Sequence, residues 1–181
     1  MNKSCKKREE ARKYKVCTIV GEERADFPWD FYGQMATTEK YFKSLNEYLE
    51  SLIQSGYDYF LLDYKQGVAV DCIYELASLR QKYHSKKIIV EVLVRDKRYE
   101  NKLSPDARRI EYRGGVSQAD AVTYFCGWFW QKKAKARKYL LQKSDLLIAI
   151  MGAKAGSIKR MLKQAERKGK KTEILPLTDF T

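Results

Sequence analysis

The segment Gly152-Ala-Lys-Ala-Gly-Ser157 has the residue types and the setting of an anion cradle, because it joins a wholly apolar run to an amphipathic one. Glycines let backbone N–H groups approach an anion, and a helix starting here presents unpaired N–H groups and the positive end of its dipole. Gly152 and Gly156 supply the close approach, Lys154 and Lys159 add charge, and Ser157 is placed to cap the helix or bond a phosphate oxygen. The same residues also suit an ordinary tight turn between strand and helix with a serine cap.

Carboxylates form a second constellation. Glu22 and Glu23 follow one apolar run and Asp63 follows another, so adjacent strands would bring them together. Clustered carboxylates hold Mg²⁺ or serve as acid and base. Consecutive side chains of an extended chain point in different directions, however, so the expectation for Glu22 and Glu23 is a solvated turn, with no metal.

A third constellation is CGWFWQKKAKARKYLLQKSD, Cys126–Asp145, where Trp128, Phe129 and Trp130 precede Lys132, Lys133, Lys135, Arg137 and Lys138. Bases stack on such rings while Lys and Arg meet phosphates, and a flat adenine ring suits the same platform. Because aromatic rings bury large apolar areas, the expectation is that two of the three rings fill the core beside the sheet. Tyr64 and the pair Phe27 and Trp29 are expected to pack in the same way. Cys5, Cys17, Cys72 and Cys126 lack CxxC spacing, and His84 is the sole imidazole, so neither a zinc site nor a disulfide framework is expected. Cys17 and Cys126, among apolar neighbours, are read as small core residues in a reducing cytoplasm.

The formal net charge is +13, and it is unevenly placed. Residues 1–15 carry seven Lys/Arg against two Glu, residues 30–126 balance at fourteen of each sign, and residues 127–171 carry fourteen Lys/Arg against two acids. The excess lies on an N-terminal arm, residues 1–14, and on the last third of a single domain, residues 15–181. It suits an anionic partner such as a nucleotide phosphate, a nucleic acid or an acidic protein, and suits a solubilising surface equally well. No run approaches the roughly 20 apolar residues that span a bilayer, and the first residues contain no apolar signal core. A cytoplasmic protein with no membrane partner is therefore expected.

The elements that must position these residues follow from periodicity. Short apolar runs at Lys15–Val20, Tyr59–Leu62, Lys87–Val94, Ala121–Phe125, Leu146–Met151 and Lys171–Leu175 predict strands. Helical spacing predicts helices from Thr37 to Ser55 (with Phe42, Leu45, Leu49, Leu52 and Ile53 inward), Gly67 to Tyr83, residues 129–143 and residues 157–168, plus a short one starting at Ser104–Pro105. Strands separated by helices pair in parallel, which predicts an α/β class, Rossmann-like doubly wound sheet in one domain. Ligands of such sheets bind beyond the carboxyl ends of the strands, so Gly21, Gly67 and Gly152 should share one edge.

On these residues the chain resembles a known family. SDLLIAIMGAKAGSIKRMLKQAERKGKKTEILPL is similar to the last third of the YpsA-like proteins of the SLOG superfamily, Rossmann-like binders of nucleotides or nucleotide derivatives. KVCTIVG matches the first strand and YFLLDYKQGVAVDCIYELA the second strand, turn and helix, and the resemblance covers about residues 15–177. It implies a ligand held by Gly21, Gly67, Arg137, Gly152, Lys154, Gly156 and Ser157. The departures fall on the turns. The family's Gly-His-Arg-Pro turn is Gly21-Glu22-Glu23-Arg24 here, its small Gly-rich turn is Asp63–Tyr64, and the acid expected two residues after Gly67 is Ala69. The family's Arg-Asn pair is Ala136–Arg137, and Arg160 stands where the phosphoribohydrolase members carry a glutamate, which leaves their chemistry without an evident acid or base. A non-catalytic or remodelled nucleotide binder is the leading expectation. A nucleic-acid-binding protein using the basic arm and residues 127–171, and a hydrolase of a nucleotide N-glycosidic bond, are the alternatives, and a homodimer is left open.

Overall fold

The computed structural model describes residues 14–95, 99–104, 106–152 and 156–180. Six strands form one sheet: β1 (Val16–Gly21), β2 (Tyr59–Asp63), β3 (Ile89–Val94), β4 (Ala121–Tyr124), β5 (Leu146–Met151) and β6 (Lys171–Pro176). Their order is β4-β3-β2-β1-β5-β6, and every pairing is parallel. Between them run α1 (Met35–Gln54), α2 (Val68–Lys82), α3 (Asp106–Ser117), α4 (Phe129–Lys143) and α5 (Gly156–Arg167). This is the expected doubly wound α/β architecture. The basic arm through residue 13, and Pro105 at the expected start of the third helix, lie outside the described residues.

Strand alternation distributes the core over both faces. Cys17 and Ile19 face α1 and α2 with Phe60, Leu62 and Val92, whereas Val16 and Val20 face α4 and α5 with Leu61, Leu93 and Leu147. Both faces of the central strands are covered, which is why they read as continuous apolar runs. Tyr41 rather than Phe42 takes the fully buried place on α1; Phe42 packs partly buried at its edge. Gly56, at φ 87°, ends that helix in the left-handed conformation that glycine adopts without strain. No helix among the described residues is long and apolar enough to cross a membrane.

Polar residues are buried with this core as well, Glu91 among them. Glu91, 2% exposed in the middle of β3, accepts hydrogen bonds from Tyr59 (2.5 Å), Thr123 (2.5 Å), Tyr139 (2.6 Å) and Lys143 Nζ (3.0 Å). It thereby ties β2, β4 and α4 to β3. Burial alone would raise its pKa, but the four donors hold it below the ordinary value of 4.5. A carboxyl depressed in the folded state contributes stability above its unfolded pKa and loses it as pH falls through the folded one. Glu91→Gln should therefore cost about 2 kcal/mol at pH 7 and less at an acid pH beneath the lowered folded-state value, where the carboxylate is protonated. Urea midpoints of the two proteins at both pH values check this; a pH-independent difference would mean the carboxylate's charge is not what the four donors hold.

Candidate functional site

The chain leaves β4 at one edge of the sheet, crosses back through α4 and enters β5 on the far side of β1. The switch point therefore falls between β1 and β5, where loops part and a crevice opens beyond the strand ends. Because all strands run the same way, Gly21 at the end of β1, Gly67 after β2 and Gly152 after β5 lie at one edge. A cleft of about 910 Å³ occupies this edge, within the size range of small-ligand sites.

The floor is the turn after β1. Val68 N–H donates to the Glu22 carbonyl (3.2 Å), and Glu23 and Gly67 form an isolated antiparallel bridge. The Arg24 side chain is buried, donating to Asp71 and to both Glu111 oxygens (2.6 and 2.7 Å), and its guanidinium lies 4.2 Å from the Phe31 ring centre. Burial acts to raise the Glu111 carboxyl, yet Arg24 holds it below its ordinary value. This anchoring fixes the direction of the two glutamates. Glu22 is buried (7% exposed), and its Oε2 accepts the Gly152 N–H at 2.9 Å. Glu23 turns outward to Lys65 (3.3 Å) and to the Tyr99 hydroxyl (3.0 Å). Burial, reinforced by Glu23, pushes the Tyr99 hydroxyl up, so it stays a neutral donor. Asp63, at the end of β2, pairs with Arg95.

The opposite wall is basic. Lys132, Lys133 and Arg137 reach the cleft from α4, with Gly156, Ser157 and Arg160 at the start of α5 and Trp130 at the mouth. The first N–H groups of α5 have no intrahelical partner, so the wall combines amide donors with cationic side chains. Arg160 Nε donates back to the Gly156 carbonyl (3.3 Å), which holds its charge beside that first turn.

Of the residues expected from the sequence, Gly21, Arg137, Gly156 and Ser157 line the cleft. Gly152 stands at the end of β5 with its N–H given to Glu22. Gly67 is used for close packing beneath the turn, because a Cβ there would meet backbone atoms of residues 22–24. Lys154 lies outside the described residues. Ser157 sits inside the first turn of α5, not at its cap, because the helix already begins at Gly156.

Three expectations are corrected. The Glu22–Glu23 turn is not uniformly solvated, since Glu22 continues the parity of Val16 and Val20 and points inward. That parity was a usable signal. Trp128 and Trp130 do not fill the core: they are 82% and 77% exposed, while the Phe129 side chain lies outside what is described. Cys126 is likewise exposed, unlike buried Cys17. All three follow the edge strand β4, beyond which no further strand offers a surface to pack on. Phe27, Trp29 and Tyr64 are buried as expected.

No family model matches this sequence, and no curated protein matches it.

Proposed function

We propose that this chain binds a nucleotide or nucleotide derivative at the switch-point cleft without turning it over, as a divergent YpsA-like member of the SLOG superfamily. The observation that carries this reading is convergence: the start of α5, the basic residues of α4 and α5, and an exposed tryptophan all border one cleft at the ends of β1 and β5. Phosphate oxygens suit the N–H groups of Gly156 and Ser157 with Arg137 and Arg160 beside them, and a base suits the face of Trp130. With Arg160 in place of a carboxylate, binding fits the wall better than hydrolysis of an N-glycosidic bond does. Calorimetric titration with the four ribonucleoside 5′-monophosphates tests the reading. Saturable, one-to-one binding of at least one is expected, and none at millimolar ligand overturns it.

A second reading is favoured by the exposure of Trp128 and Trp130. The helices α4 and α5 share one face of the sheet, and their outward residues, among them Lys132, Lys133, Arg137, Lys159, Arg160 and Lys163, make that face basic. Two exposed indoles beside such a face suit single-stranded nucleic acid, where each stacked base contributes on the order of 1–3 kcal/mol. Fluorescence anisotropy with labelled single-stranded RNA should give weak binding whose log affinity falls by about 0.7 per phosphate contact for each decade of salt. Trp128→Ala with Trp130→Ala should weaken it at every salt concentration, and deletion of residues 1–13 should weaken it uniformly across sequences. Absence of binding at low salt removes this reading and leaves the basic face as solubilising surface.

A further inference from the structure

Two carboxylates at the cleft floor are each satisfied on one oxygen only. Glu22 is 7% exposed; its Oε2 takes the Gly152 N–H, while its Oε1 has no hydrogen-bond partner among the described residues. Asp63 is 9% exposed; its Oδ2 pairs with Arg95, while its Oδ1 is likewise unpartnered among the described residues. A buried acceptor without a donor costs stability, on the order of 1–3 kcal/mol and more for a charged group. Native structures rarely keep such oxygens unless something else supplies the donors.

The register places both on one side. Thr18 pairs with Leu61 and Ile19 with Leu62, so Val20 stands level with Asp63 on the neighbouring strand. Val20 and Leu61 both face α4 and α5, and side chains two residues apart share a face. Glu22 and Asp63 thus continue the two stripes that look toward the basic wall. The cleft thus offers two unpartnered carboxylate oxygens on its floor, beside the paired cations Lys65 and Arg95, and amide and cationic donors on its wall.

An anionic group alone brings no donor to the two free acceptor oxygens of the floor, and a ligand without an anion leaves the donors of the wall unused. The matching ligand carries hydrogen-bond donors and a phosphate on one small frame. We propose that Glu22 and Asp63 accept the 2′- and 3′-hydroxyls of a ribose whose 5′-phosphate lies on the α5 wall, making the cleft selective for ribonucleotides. This rests on the nucleotide-binding reading given above. A divalent cation is the rival claimant for two carboxylates. Each carboxylate, however, is drawn to a different neighbour, Glu22 to β5 and Asp63 to the end of β3, and the described residues gather no group of three metal-ligating side chains.

The test compares the four ribonucleoside 5′-monophosphates with their 2′,3′-dideoxy counterparts by calorimetry on the full-length protein, with and without EDTA. The ribose form should bind at least tenfold more tightly, because a site built around hydroxyl donors rejects the analogue that lacks them. EDTA should change nothing. Glu22→Gln leaves Asp63 as the remaining carboxylate acceptor, so the ribose-to-dideoxy ratio should fall at least threefold without vanishing. The melting temperature of that variant without ligand should hold, since an unpaired neutral amide costs less to bury than an unpaired carboxylate oxygen. Equal binding of ribose and dideoxy forms by the wild type overturns this inference alone and leaves the nucleotide reading standing. Binding that EDTA abolishes assigns the carboxylates to a metal and overturns it too. Loss of dideoxy binding together with a lowered melting temperature in Glu22→Gln makes Glu22 a structural residue, and no binding of any monophosphate overturns both readings.

Discussion

Gly67→Ala should destabilise the fold by about 3–5 kcal/mol, from backbone strain and close contact acting together. Gly67 holds φ +123°, a conformation that residues with a Cβ rarely adopt. An added Cβ would also lie 2.7 Å from the Arg24 nitrogen and 2.9 Å from the Glu23 Cα, and closer still to the Glu22 carbonyl oxygen. These are backbone atoms and cannot swing aside as a side chain does. They are also the atoms that aim Glu22 into the cleft and Arg24 into its carboxylates, so the damage should spread to the site. Against the 5–15 kcal/mol that holds a typical domain, the loss is large. Urea denaturation measures it as a lower midpoint with an unchanged slope. Gly21→Ala should also destabilise, because its Cβ would run into the Cβ and both methyls of fully buried Val68, whose Cβ the α2 backbone holds in place, although Gly21 lacks the positive φ that adds strain at Gly67. A change below 1 kcal/mol in Gly67→Ala would mean the turn after β1 is not seated on the start of α2.

Gly156→Asp should act in the opposite sense, abolishing nucleotide binding with almost no effect on stability. A Cβ at Gly156 meets nothing within 4 Å, and the residue is exposed at the first position of α5. An acidic side chain in the first turn of a helix interacts favourably with the dipole, by about 0.3–1 kcal/mol, so the melting temperature should hold or rise slightly. The same carboxylate occupies the place proposed for the phosphate and repels it in a confined space. Titration with the ribonucleoside monophosphate that the wild type binds best should show affinity reduced at least a hundredfold. Gly156→Ser, which adds a hydroxyl but no charge, should keep affinity within about tenfold, a margin of 1.4 kcal/mol. If Gly156→Asp binds as well as the wild type, the segment is a turn and no more, and the phosphate lies elsewhere.

The alternation of strands and helices was legible in the chain because it is a local property. Leu146–Met151 is a run of six apolar residues and became β5 with those bounds. Leu45, Leu49, Leu52 and Ile53 fall on one helical face and are buried there. Parallel pairing followed, since helical crossovers of this length leave adjacent strands no other arrangement, and with it the shared edge of Gly21, Gly67 and Gly152. The stretch from residue 95 to 118 was less legible. Its helix α3 carries only Tyr112 and Gly115 as buried residues, so its apolar stripe is thin.

What a side chain does at the end of an element was decided by tertiary structure. Trp128 and Trp130 have the composition of core residues, yet they follow the edge strand, where the sheet stops and no surface covers them. Glu22 has the composition of a solvated turn, yet Gly67 and the Arg24–Asp71 pair, 47 residues apart, draw that turn down onto α2 and bury it. Hydrophobicity and period are written residue by residue, so they fix which segments are strands or helices and which faces must be covered. Burial at a boundary depends on which distant element arrives to cover it. That is set by the order of strands in the sheet, a property of the whole chain and not of any window within it.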